Sequence, residues 1–203
     1  SINKSDGVTA VSKFLRDDTY KQFNLQNEIE VIYNFVDFSR FRKTNKDHFK
    51  KAIAPEGEKL LTHISNFRKV KRVDDVIRMF HLVHEKIPSK LLLIGDGPER
   101  RKAEDMCREY NLCHDVRFLG KQEAGEELLA ISDLFIIPSE NESFGLAALE
   151  AMACEVPVIS SNAGGLPELN LHGKTGFVTE IGDVQTMADY AISLLSNEEL
   201  HQE

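Results

Sequence analysis

Long hydrophobic runs are missing from this chain of 203 residues. Its apolar stretches, such as Leu91-Leu92-Leu93-Ile94 and Leu134-Phe135-Ile136-Ile137, end after four residues. A membrane span needs about 20, so none is expected. Ser1 to Asp6 are polar and hold no apolar signal core, which reads against secretion. Cysteine is scarce: Cys107, Cys113 and Cys154 are an odd number at unrelated spacings. That suits a reducing cytoplasm and no disulfide frame. Six prolines and twelve glycines are too few for a collagen-like or low-complexity chain. An initiating Met is absent as well, and the expectation is a piece of something longer. Positive charge is nearly missing from one end. Residues 123–203 carry a single base, Lys174, against 15 acids, a balance of −14 within a net charge of −8. Residues 1–122 hold 24 of the 25 Lys and Arg and 18 of the 33 acids, a balance of +6. The total argues against a nucleic-acid partner. The asymmetry means that any anionic ligand takes its cationic side chains from the first part, while the second offers backbone amides, helix ends and carboxylates.

What the chain does contain is regular alternation. Short apolar runs at Glu30–Tyr33, Leu60–Ile64, Lys90–Ile94, Val116–Leu119, Leu134–Ile137, Pro157–Ser160 and Gly176–Thr179 read as buried strands. Between them lie helical patterns at Val73–Ile87, Glu99–Tyr110, Glu126–Ser132, Gly145–Ala153 and Val184–Ser196. In the first of these, Val73, Val76, Ile77, Phe80, Val83 and Ile87 make one apolar stripe. Strand–helix alternation at this spacing predicts an α/β fold, a doubly wound parallel sheet covered on both faces. Residues 1–25 stand apart as a strand-like piece (Thr9–Ser12) and a helix (Lys13–Gln22). Arg40–Lys51, with six bases and one acid, reads as a solvated connector or helix face. No internal repeat is visible.

The segment Pro138-Ser139-Glu140-Asn141-Glu142-Ser143-Phe144-Gly145-Leu146-Ala147-Ala148-Leu149-Glu150 follows a buried strand and opens a helix. In doubly wound sheets ligands sit at the carboxyl ends of strands. Free N–H groups at a helix N-terminus favour phosphate there, and Gly145 lets an anion approach the backbone. Glu142 falls in the loop and Glu150 about a turn into the helix, where it can reach back to the same mouth. A carboxylate would repel phosphate, so Glu150 is better suited to accept hydrogen bonds from a diol such as ribose. The bland alternative is two solvated glutamates around a helix start. Three other motifs lack residues that the chemistry they suggest would need. Gly95-Asp96-Gly97-Pro98 is a strand–turn–helix junction with Pro at the first helical position, but it lacks the third glycine of a dinucleotide fingerprint. Gly173-Lys174-Thr175 has Glu168 where a P-loop needs Gly. His81 and His84 have no third ligand nearby and read as a surface or packed pair.

Glu142 and Glu150, with seven residues between them around Ser143-Phe144-Gly145-Leu146, resemble the E-x7-E signature of the retaining GT-B glycosyltransferases of family 4. The resemblance runs from about Val8 to the end. It takes in Val31-Ile32-Tyr33-Asn34-Phe35-Val36-Asp37, Leu93 to Glu99, Phe118-Leu119-Gly120 and Gly164-Gly165-Leu166-Pro167-Glu168. Within the family, His63 to Arg72 and Glu150-Ala151-Met152-Ala153-Cys154 are similar to the members that glycosylate L-malate in bacillithiol synthesis.

The resemblance implies the C-terminal, donor-binding half of a cytoplasmic two-domain enzyme. Residues 26–203 would be the Rossmann-like nucleotide-sugar domain, truncated at its C-terminus, and 1–25 a remnant of the N-terminal acceptor domain with the interdomain connection. UDP-N-acetylglucosamine would lie across the strand ends, with Glu150 on the ribose and Glu142 on a sugar hydroxyl. The amides of Phe144, Gly145, Leu146 and Ala147, with Ser143 beside them, would surround sugar and diphosphate. Gly95 would also belong to the nucleotide-sugar site, and Gly120, Lys121 and Gln122 would face the uracil. Family members place an Arg and a Lys on the diphosphate, in a Gly-Arg pattern with Lys five residues on. Here those places hold Ser65, Asn66 and Lys71. Lys71 carries over by position, and Arg68 substitutes for the missing Arg, although Arg68-Lys69-Val70-Lys71-Arg72 is also what a solvated helix cap looks like. Neither metal nor other cofactor is implied. The partners implied are the UDP-sugar donor, the absent N-terminal domain and the acceptor L-malate; a homo-oligomer is left open. The alternatives are another family 4 transferase, a UDP-sugar epimerase of the same architecture, and a mere nucleotide-sugar binding module.

Overall fold

A computed structural model describes residues 2–44, 47–197 and 199–200. Strand β1 (Val8–Ala10), helix α1 (Lys13–Gln22) and strand β2 (Ile29–Val31) come first. Ser12 starts α1 as its N-cap, its Oγ accepting from Leu15 N–H at 3.0 Å. The helix matches the sequence reading. The strand near Glu30 does not: it begins at Ile29, stops at Val31, and pairs in parallel with β1 as a separate two-stranded sheet. A ten-residue helix is crossover enough to bring β2 back beside β1, so its pairing is satisfied locally. The division expected after residue 25 falls inside this β-α-β unit.

The remaining strands form one sheet. β3 (Lys59–Ile64), β4 (Ser89–Ile94), β5 (Val116–Gly120), β6 (Leu134–Ile137), β7 (Val158–Ser161) and β8 (Gly176–Thr179) are all parallel, in the order β5-β4-β3-β6-β7-β8. The chain winds outward from β3 to β5, then returns to the other side of β3 and winds outward again. The topological switch point therefore lies between β3 and β6, where open α/β sheets leave a crevice beyond the strand ends.

Successive side chains point to opposite faces, and both faces are dry. Leu61, Leu91, Leu93, Leu134, Ile136 and Ile159 pack against α3 (Val73–His84), α4 (Arg100–Glu109) and α8 (Val184–Ser196). Phe135, Ile137 and Val158 pack against α6 (Leu146–Ala153), and Leu60, Leu92 and Ile94 against α2 (Asp47–Ile53) and the end of α5 (Gly125–Leu129). Val73, Val76, Ile77, Phe80 and Val83 of the predicted stripe are fully buried, each stabilising the fold by roughly 1.5–3 kcal/mol. A short helix, α7 (Leu166–Leu169), has no counterpart in the sequence reading. Pro98 is not the first helical residue; it lies in a turn before α4, whose N-cap is Glu99. Of the Arg40–Lys51 connector, residues 45 and 46 lie outside the described residues, and Asp47 onward is α2. No helix among the described residues is long and apolar enough to cross a membrane.

Candidate active site

The loops leaving β3 and β6 meet over the switch point. Glu140 N–H donates to Val70 O at 2.9 Å, tying the two backbones together. Lys71 closes a 3-10 turn (Lys69–Lys71), and its Nζ lies 2.5 Å from Glu142 Oε1. Both side chains are largely buried, at 20% and 13% exposure. Ser139 Oγ–H also donates to Glu142 Oε1, at 3.0 Å. The predicted diphosphate cation and the predicted sugar carboxylate thus come together as one ion pair. Arg68, the substitute for the missing family Arg, is on the same turn and exposed; its carbonyl accepts from Lys71 N–H at 2.8 Å, while its guanidinium has no hydrogen-bond or ion-pair partner among the described residues. Arg72 turns the other way, to Asp75 (2.6 Å) and Glu140 (3.4 Å).

The loop holding Glu142 is fixed by backbone contact. Gly165 N–H donates to Glu142 O at 2.9 Å, and a side chain at Gly164 would fall on that same carbonyl. Gly145, at φ 98, is the N-cap of α6, a left-handed position that favours glycine. The first amides of α6, from Leu146 and Ala147, have no partner within the helix and face the mouth. Phe144 is buried and its ring lies 5.9 Å from that of Tyr33. Ser143 is exposed, and its carbonyl accepts from Ser12 Oγ–H at 2.6 Å. Glu168 completes a clasp on the β-α-β unit, accepting from Lys13 N–H (2.9 Å), Phe14 N–H (2.7 Å) and Tyr33 O–H (3.1 Å).

Glu150 lies five residues into α6 and is half-buried. Burial pushes its carboxyl above the usual range; Arg40 draws it back and Glu126 pushes it up again. Arg40 belongs to the connector, where the sequence suggested only a solvated face. Its guanidinium lies 2.9 Å from Glu126 Oε1 and donates to Glu123 O at 2.9 Å. It therefore ties the stretch after β5 to the neighbourhood of Glu150. Gly120, with φ 66 and open space around it, begins that stretch; Lys121 and Gln122 are exposed.

Gly95 and Gly97 have a packing role. A Cβ on Gly95 would meet Ser65 O, and one on Gly97 would meet Asn66 O. The turn after β4 is thereby pressed against the loop after β3, where Glu99 N–H also donates to Phe67 O at 2.9 Å. Sequence reasoning missed Arg40, Ser139 and the Ser12 and Glu168 clasp. The signal for Glu168 was its place in a quoted motif; nothing in sequence spacing marked Arg40. A cavity of about 550 Å³ lies elsewhere, at the amino ends of β7 and β8, lined by Lys43, Met152, Pro157, Lys174 and Phe177 among others. It holds none of these groups.

The family described as "Glycosyl transferases group 1" matches residues 44–203. N-acetyl-alpha-D-glucosaminyl L-malate synthase of Bacillus anthracis is 47% identical over 202 residues, 99% of this chain and 53% of that protein. The S. aureus TarM structure in complex with Fondaparinux, alpha-GlcNAc-glycerol and UDP superposes with a TM-score of 0.84 at 29% identity, over 100% of this chain and 39% of that one. Anabaena HepE in complex with UDP and glucose shares the fold, with a TM-score of 0.88 at 24% identity, over 98% of this chain and 56% of that one. The chain spans about half the length of the malate synthase it matches. A six-stranded sheet in this order, a carboxylate pair flanking the start of α6 and a family match over most of the sequence agree: the chain belongs to the group 1 glycosyltransferases and has the Rossmann-like fold of their GT-B members.

Proposed function

We propose that the chain is the donor half of a retaining transferase that moves N-acetylglucosamine from UDP-N-acetylglucosamine to L-malate. The observation that carries the donor part is the Lys71–Glu142 pair at the switch point, beside the N-terminus of α6. The malate part is supported by the similarity to the B. anthracis malate synthase. In this reading Glu150 accepts from the ribose hydroxyls, and the Gly120–Gln122 stretch faces the uracil. The amides of Phe144 to Ala147 surround sugar and diphosphate. Phosphate takes Lys71 away from Glu142, leaving the carboxylate for a sugar hydroxyl. Lys71, Arg68 and the helix N-terminus then stabilise the charge that grows on the departing diphosphate. With two cations and a helix end in that role, the reading invokes no metal. The acceptor hydroxyl attacks from the leaving-group face, with a phosphate oxygen as its base.

The groups that hold malate belong, in this proposal, to an N-terminal domain facing the strand ends, and the reaction belongs to the cytoplasm. Calorimetric titration with UDP, UDP-N-acetylglucosamine and UDP-glucose tests the donor part. Saturable binding of the first two is the expected result, and no binding of UDP would end the proposal. Transfer to malate is tested on the chain joined to such a domain. Turnover with another acceptor and not with malate would retain the donor site and replace the acceptor.

A further inference from the structure

His63 sits in the middle of the sheet with no exposed surface. Apolar residues fill such positions without polar atoms to satisfy, so a histidine there calls for a reason. Its surroundings supply one. The β3–β4 ladder continues to Ile64↔Ile94, but the β3–β6 ladder ends at Thr62↔Phe135. His63 is the next residue along. Its Nδ1–H donates to Ile136 O at 2.8 Å, so the side chain takes up the connection to β6 where the ladder stops.

The other ring nitrogen faces the site. Nε2 lies 2.8 Å from Ser65 Oγ, and Ser65 Oγ in turn accepts from Phe67 N–H at 3.2 Å. With Nδ1 as donor to a carbonyl, Nε2 is the acceptor and the serine hydroxyl donates to it. Burial, with the Lys71 charge adding to it, holds the ring's pKa down at about 4, which keeps this tautomer in place at neutral pH. The relay ends on Phe67, a non-glycine residue at φ 41, in the left-handed region. From Phe67 the chain turns into the segment bearing Arg68 and Lys71.

We propose that His63 is a positioning residue for diphosphate recognition: its ring extends the β3–β6 connection past the end of the ladder and, through the Ser65 hydroxyl and the Phe67 N–H, fixes the 65–72 loop so that Lys71 faces Glu142. This rests on the reading of the donor site given above. The loop carries the diphosphate cations and no uracil contact, so its loosening affects UDP and not uridine.

The test measures UDP by calorimetry and uridine by ligand-observed NMR on the 203-residue chain and three variants. Ser65→Ala and His63→Val should each weaken UDP about tenfold while uridine stays within about twofold, and Ser65→Thr, which keeps the hydroxyl, should retain most of the affinity. Thermal unfolding reports whether each variant folds, and Ser65→Ala, which leaves the ring in place, decides the matter if His63→Val does not. UDP affinity unchanged in Ser65→Ala would overturn the inference, as would parallel losses of UDP and uridine or a lowered melting temperature with both affinities intact. Failure of the unaltered chain to bind UDP would overturn the donor-site reading beneath it instead.

Discussion

At Glu150 the fold and the proposed ligand make opposite demands. Burial raises its carboxyl pKa in the folded state, so stability is greater below that pKa and is lost as pH rises through it. Glu150→Gln, which cannot ionise, should therefore raise the midpoint of thermal unfolding at pH 7 while weakening UDP about tenfold, through loss of a charged acceptor. A lower midpoint would contradict this account of the site. In the unaltered chain, UDP affinity should begin to fall at a higher pH than an ordinary glutamate would produce, as protons compete for Glu150. Lys71 and Glu142 differ again. Lys71→Ala should weaken UDP about tenfold, whereas Glu142→Gln, by freeing the cation, should leave UDP as tight or tighter, and calorimetry on both compares them. These carboxylates were legible in the sequence because their spacing straddles a helix start. Arg40 was not: its role depends on the chain folding back from residue 40 to Glu123 and Glu126, a contact between segments 83 or more residues apart.

Among elements, the turns after β3 and β4 are held backbone to backbone. Gly97→Ala should cost about 1–3 kcal/mol by chemical denaturation, since its methyl group would meet the Asn66 carbonyl. It should also weaken UDP by shifting the 65–72 loop. Gly125→Ala, at the first residue of α5 with nothing within 4 Å, should leave stability unchanged or improved. Strands β3 to β8 were readable because apolar runs buried on both faces have little else to become. The partner of β2 was not, because three residues of alternating burial fit either sheet. Helix α7 escaped notice for a related reason: four residues show no helical period, and its form depends on Gly165 joining the Glu142 loop.

Across the whole molecule, the charge asymmetry seen in composition becomes spatial. The basic part supplies Lys71 and Arg68 from beyond β3, and the acidic part supplies Glu142, Glu150 and the α6 amides from beyond β6. Binding of UDP should weaken moderately as salt is raised, because exposed charges such as Arg68 are screened within a Debye length of about 10 Å at 0.1 M. Mass spectrometry should find no glycosyl-malate when the 203-residue chain alone meets UDP-N-acetylglucosamine and malate, since orienting the acceptor can supply about 7–11 kcal/mol of the barrier. A measurable product would place the acceptor site within this chain. The clasp on the β-α-β unit bears on how such an enzyme lets go. Three hydrogen bonds reach Glu168, from Lys13, Phe14 and Tyr33, and a fourth runs from Ser12 to the carbonyl next to Glu142. A swing of that unit away from the sheet has to break them and slacken the Glu142 loop, which the proposed function places on the sugar. On the proposed reading, parting this unit from the sheet and loosening the hold on the sugar would be a single movement, with the lever arm running through α1.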